Sequence, residues 1–125
     1  MVLDYLMSQS VDFIVLAGFL IKISNDIIHA YPNKIVNLHP SLLPKYGGKG
    51  MYGKRVHRAV IEAQESESGI SIHFVNKEYD EGAIIFQAKV SVEKGDRVEV
   101  LTKKIQQLEH RFFPKVIEQV ISKSL

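Results

Sequence analysis

Apolar and polar positions along the chain follow two periods, and the switches between them mark out the elements. Phe13-Ile14-Val15-Leu16-Ala17 is a continuous apolar run of strand length, as expected for a parallel strand covered on both faces. Gly18 ends it, and Ile35 to Leu38 reads as a second buried strand. Between them Ser24 is placed to cap a helix that carries Ile27, Ile28 and Ala30 and stops before Pro32, which makes a strand–helix–strand unit. Val2 to Ser8 reads as the tail of a preceding helix. Farther on, Val56, Ala59, Val60 and Ala63 recur at helical spacing. Ile70, Ile72 and Phe74 then alternate with Ser71, His73 and Val75 as a strand does, and Ala83 to Val92 continues as a strand antiparallel to it. Val98 to Phe113 carries a long helical pattern, after which Pro114 either kinks the helix or opens a short final one through Ile121. Strands alternating with helices predict an α/β layer structure, with residues 1–125 in a single domain.

Composition narrows the function classes. A chain of 125 residues, 46% hydrophobic and 24% charged, has the balance of one globular domain with a sizeable core, neither disordered nor fibrous. Its net charge of +2, with Lys and Arg spread along the chain, points to no nucleic-acid partner. Zero cysteines exclude a disulfide framework and a thiolate zinc site, and fit a reducing compartment. No apolar run approaches the roughly 20 residues that span a bilayer, and no signal pattern follows Met1. The expectation is a cytoplasmic protein with no membrane partner.

Two candidate sites lie side by side in "VNLHPSLLPKYGGKGMYGKR", Val36 to Arg55. Gly48 to Lys54 nearly spells a phosphate loop. Such a loop needs a strand directly before its first glycine and a Ser or Thr after the Lys. Here Pro44-Lys45-Tyr46 precedes it and Arg55 stands in the hydroxyl position, so the segment reads as a surface loop leading into a helix. Asn37 and His39 have better placement. Residues two apart in a strand project to one side, so both would face one crevice at the carboxyl end of a buried strand. Pro40 keeps His39 in extended backbone. An amide donor and an imidazole donor that converge would suit a developing oxyanion, which suggests acyl-type transfer. The plainer alternative is that Asn37 makes turn hydrogen bonds and His39 fills space. An acid to orient the imidazole is available in "NKEYDEGAII", where Asp80, Glu78 and Glu81 all lie between two strands, and spacing does not choose among them.

"DFIVLAGFL", "NLHPSLLPKY", "GISIHFVNKEYDEGAIIFQAKV" and "QQLEHRFFPKVI" together resemble the folate-dependent formyltransferases along nearly the whole chain. Within them the pattern is most similar to the phosphoribosylglycinamide formyltransferases of purine synthesis. The N-x-H followed by P-S-L-L-P and a distant Asp is shared with methionyl-tRNA and sugar formyltransferases; Glu109-His110 followed by Phe113-Pro114 favours the purine branch. The resemblance implies a Rossmann-like formyltransferase fold, mostly parallel with an antiparallel edge. It implies Asn37, His39 and Asp80 as the catalytic set, acting on 10-formyltetrahydrofolate with no metal. The folate would lie along Leu20, Ile21, Lys22 and Ile23 and against Val75 and Tyr79. Glycinamide ribonucleotide would meet Pro40, Gln106 and Glu109. For His73 a half-buried strand position and a role near Asp80 both stay open.

The same resemblance sets an expectation about extent. Family members begin with a strand and a Gly-rich turn that holds the ribonucleotide phosphate, and this sequence has no such segment. The chain is therefore expected to be the C-terminal part of a single formyltransferase domain, lacking the N-terminal strands. Phe13 to Ala17 would then be an open edge that favours self-association. A folate-binding chain without turnover is the alternative from another class.

Overall fold

The computed structural model describes residues 2–17, 23–48, 50–75 and 83–124. Eight elements follow in order: α1 (Val2–Ser8), β1 (Ile14–Ala17), α2 (Asn25–Ala30), β2 (Ile35–His39), α3 (Lys54–Glu62), β3 (Glu67–Phe74), β4 (Ile84–Ser91) and α4 (Val98–Ser124). They form one four-stranded sheet in the order β1-β2-β3-β4. β1 and β2 are parallel, as the helix between them requires. β2 with β3 and β3 with β4 are antiparallel. The described sheet is thus mixed, which corrects the expectation of a mostly parallel one. Only the β1–α2–β2 crossover gives a parallel pairing, one of the three in the described sheet.

Register sorts the side chains onto two faces, because residues opposed on paired strands point the same way. Val36 lies opposite Phe74, and Leu38 opposite Ile72. This face is covered by α3 and α4, and its core is Leu38, Val60, Ile70, Ile72, Leu101, Ile105 and Val116. Ile14 lies opposite Ile35, Leu16 opposite Asn37, Asn37 opposite His73 and His39 opposite Ser71. That second face begins apolar, in a cluster of Ile27, Tyr31 and Ile35 joined by Leu3, Leu6, Leu16, Ile23 and Val75. It turns polar toward the carboxyl end of β2.

β1 departs from expectation. Its side chains alternate between half-buried and exposed, so it is not covered on both faces. Val15 shares the face of Val36, but α4 packs over β3 and β4, with α3 against α4, and Val15 stays 42% exposed. α4 runs unbroken through Pro114, which settles the choice between kink and second helix in favour of one helix. Its start is tied to the end of β4: the Lys104 ammonium donates to Asp96 Oδ2 at 2.8 Å and to the Ser91 carbonyl at 2.9 Å. Ser24 does precede α2, although its side chain makes no capping hydrogen bond.

Candidate active site

The site is assembled at the carboxyl end of β2. Both neighbours of Asn37 are buried apolar residues, Val36 and Leu38, so the strand cannot slip by one position without burying Asn37 and His39 in the α3/α4 core. The chain then turns back at Pro40 and is pinned to the two strands beside it. Ser71 Oγ donates to the Ser41 carbonyl at 2.7 Å and accepts from the Leu43 N–H at 2.9 Å. The Gln87 amide nitrogen reaches Ser71 Oγ at 2.9 Å and the Leu43 carbonyl at 3.0 Å. Ser41 Oγ closes the turn onto the Lys45 carbonyl. Tyr46 is held from outside, its hydroxyl donating to Glu65, which also pairs with Lys45.

That turn fixes the catalytic candidate His39. Its ring is buried, with Nε2 2.8 Å from the Tyr46 carbonyl. A carbonyl only accepts, so Nε2 carries a proton in either charge state, and Nδ1 is the atom that gains or loses one. Asn37 Nδ2 lies 3.3 Å from His73 Nε2, while Asn37 Oδ1 is buried with no hydrogen-bond partner among the described residues. The two donors foreseen from the Asn-x-His spacing are therefore on one face, each with one ring or amide position already committed to the protein.

Sequence reasoning missed His57. It sits in the first turns of α3 beside Val56 and Val60, all three buried, and its Nδ1 has no hydrogen-bond partner among the described residues. Burial, and then the neighbouring charge of His39, hold its pKa below the ordinary 6.5. A histidine at helical spacing with two valines was the available signal. Gly53, directly before α3, has φ 54° and ψ −135°, a backbone state open essentially to glycine alone. Lys54 and Arg55 at the helix start are exposed.

The remaining candidates divide. Ile23 and Val75 meet in the Ile27–Tyr31–Ile35 cluster, and the Val75 N–H donates to the Ile35 carbonyl at 2.9 Å. Asp80, Leu20, Ile21, Lys22 and Tyr79 lie outside the described residues, as do Glu78 and Glu81. Gln106 and Glu109 are three apart on α4 and so share a side of it. Gln106 is exposed and Glu109 half-buried. Burial raises the Glu109 carboxyl pKa, against an opposing pull from His110. Pro40 is half-buried beside His39. Among the described residues no three His, Asp or Glu side chains are grouped to hold a metal ion, and no helix is long and apolar enough to cross a membrane.

Comparison with known proteins places these features in a family. A family model described as formyl transferase matches residues 1–117. A chloroplastic phosphoribosylglycinamide formyltransferase of Arabidopsis thaliana is 46% identical over 114 residues, which is 91% of this chain and 39% of that protein. The phosphoribosylglycinamide formyltransferase of Haemophilus influenzae is 42% identical over 115 residues, 92% of this chain and 52% of that protein. Among solved structures, phosphoribosylglycinamide formyltransferase from Bacillus halodurans superposes with a TM-score of 0.89 at 38% identity, over 99% of this chain and 61% of the other. The chain thus spans between 39% and 61% of the length of these relatives. The match begins at residue 1 and takes in nearly the whole chain as the formyl transferase domain of those longer proteins. The expectation of a C-terminal part is corrected accordingly.

Proposed function

The chain belongs to the formyl transferase family, and we propose that it transfers a formyl group from 10-formyltetrahydrofolate to the amine of glycinamide ribonucleotide. The observation that carries the reading is the pairing of Asn37 and His39 on one buried strand end, each ordered by a second hydrogen bond. The amine attacks the formyl carbon, the new C–N bond forms, and negative charge grows on the formyl oxygen. The second N–H of Asn37 and the Nδ1–H of a protonated His39 donate to that oxygen. Collapse breaks the bond to the folate nitrogen, which takes up the proton the amine gives away. Asp80 has the role the family resemblance implies, charging His39 and ordering the water that relays this proton. By the family resemblance the folate pterin is read by main-chain donors and acceptors of Leu20, Ile21, Lys22 and Ile23 and of the segment from Val75 through Tyr79. Pro40, Gln106 and Glu109 face the ribonucleotide. The reaction uses no metal.

Purified protein mixed with both substrates should release tetrahydrofolate, followed by its absorbance change. Binding of a folate analogue without any release would replace this reading with a folate-binding chain that does not turn over. Transfer to methionyl-tRNA or to an amino sugar in place of the ribonucleotide would move the protein to another branch of the family. We further propose self-association through Phe13 to Ala17, supported by the 42% exposure of Val15 on a strand that, among the described residues, pairs only with β2.

A further inference from the structure

We propose that His73 is a positioning residue for Asn37, accepting one of its amide N–H groups and thereby fixing which end of the amide can donate to the formyl oxygen. The kinetic consequence rests on the formyl-transfer reading; the hydrogen-bond arrangement does not.

An extended backbone sets the direction of the Asn37 Cβ but leaves the amide flip open, because the terminal torsion of Asn is broad and roughly two-fold. Something else has to choose. Asn37 and His73 are direct partners in the β2–β3 register, and His73 is 2% exposed. His73 Nδ1 lies 2.9 Å from the Phe74 carbonyl, which can only accept, so Nδ1 holds the proton. In the neutral ring Nε2 is then an acceptor. Asn37 Nδ2 stands 3.3 Å from it. The flipped amide would set two acceptors, Oδ1 and Nε2, against each other. One backbone carbonyl therefore decides the histidine tautomer, and the tautomer decides the amide. The second N–H of the same NH₂ group is left as a donor. Oδ1, buried and without a partner among the described residues, is left as an acceptor for an N–H of the attacking amine. A preorganised donor of this kind is what an oxyanion site requires, since no reorientation is needed as charge develops.

The first test needs no activity. A long-range ¹H–¹⁵N correlation on the full chain with labelled histidine should show His73 protonated at Nδ1 and bare at Nε2; a ring protonated at Nε2 would overturn the proposal. The second compares His73→Gln, whose side-chain oxygen can stand where Nε2 accepts, with His73→Leu, which has no acceptor. Turnover should fall roughly 10²-fold in the leucine variant, as when one oxyanion donor is lost, with KM for the folate unchanged, and most of it should return in the glutamine variant. Equal losses in both would also overturn it. If the leucine variant does not fold, the tautomer and the glutamine variant still decide. An inactive wild-type chain would sink the proposed function and leave the tautomer measurement to judge this one.

Discussion

The two faces of the sheet are built to different depths. Under α3 and α4, Ile70, Ile72 and Leu101 are fully buried, and β2 adds Leu38. On the opposite face the apolar cluster has three buried members, Ile27, Tyr31 and Ile35, backed by half-buried residues of α1 and β1. The polar side chains are divided as unequally. Asn37, His39, Ser71 and His73 all share the thinner face. Stability and chemistry are thus separated across one layer of backbone, so the site can carry orphaned polar atoms without breaking into the main core.

The largest expected effect tests that separation directly. Ile72→Ala, at a fully buried position, should destabilise by about 4 kcal/mol, while Ile27→Ala on the thinner face should cost about 2 kcal/mol. Urea unfolding of the two variants reads the difference. Equal losses would mean that the faces are energetically alike and that depth of burial is a poor guide here.

The next effect belongs to the polar face. His39→Ala and Asp80→Asn should each lower turnover by roughly 10²–10³-fold, the loss of one oxyanion donor or of the group that orients it. Lys54→Ala, at an exposed helix start, should leave turnover nearly unchanged. A collapse in the lysine variant would return the chemistry to the glycine loop.

Much of this division was legible in the sequence, for a physical reason. Asn37 alternates with Val36 and Leu38, so a period of two already assigns it to the less apolar side. Ser71 and His73 alternate with Ile70 and Ile72 in the same way. What the pattern did not carry was the antiparallel pairing of β2 with β3 that joins the two halves of the sheet. Continuous apolar runs such as Phe13 to Ala17 look alike whether a helix layer covers them or stops one strand short, as it does here at Val15. Nor did local pattern reveal His57, which becomes relevant to His39 only when α3 folds back toward β2.

His57 supplies the third prediction. Its folded pKa lies below 6.5, chiefly because burial disfavours the charged ring. The folded state therefore binds fewer protons than the unfolded one in this range. The stability the neutral ring contributes is present above pH 6.5 and is lost as pH falls through the folded value. His57→Gln should flatten the decline in unfolding free energy between neutral and mildly acidic pH. An unchanged slope would show that the ring is not protected from protonation, and that the boundary between the two faces is wetter than its burial suggests.

The smallest effect on stability, and the sharpest on assembly, concerns β1. Val15 lies on the face where the α3/α4 layer is missing, and Ile14 beside it packs into the thinner cluster. A charge at position 15 should therefore be tolerated and one at position 14 should not. Val15→Lys is expected to change stability by no more than about 0.5 kcal/mol, because its side chain can remain in solvent, while Ile14→Lys forces an ammonium into an apolar cluster and should unfold the region. If β1 is the contact between copies, the same Val15→Lys change should lower the mass seen by light scattering in concentrated protein, since a lysine within an edge run discourages strand pairing. A wild-type chain that scatters as a monomer at every concentration would remove β1 as an association surface, yet leave the asymmetry between positions 14 and 15 intact as a measure of which face is covered.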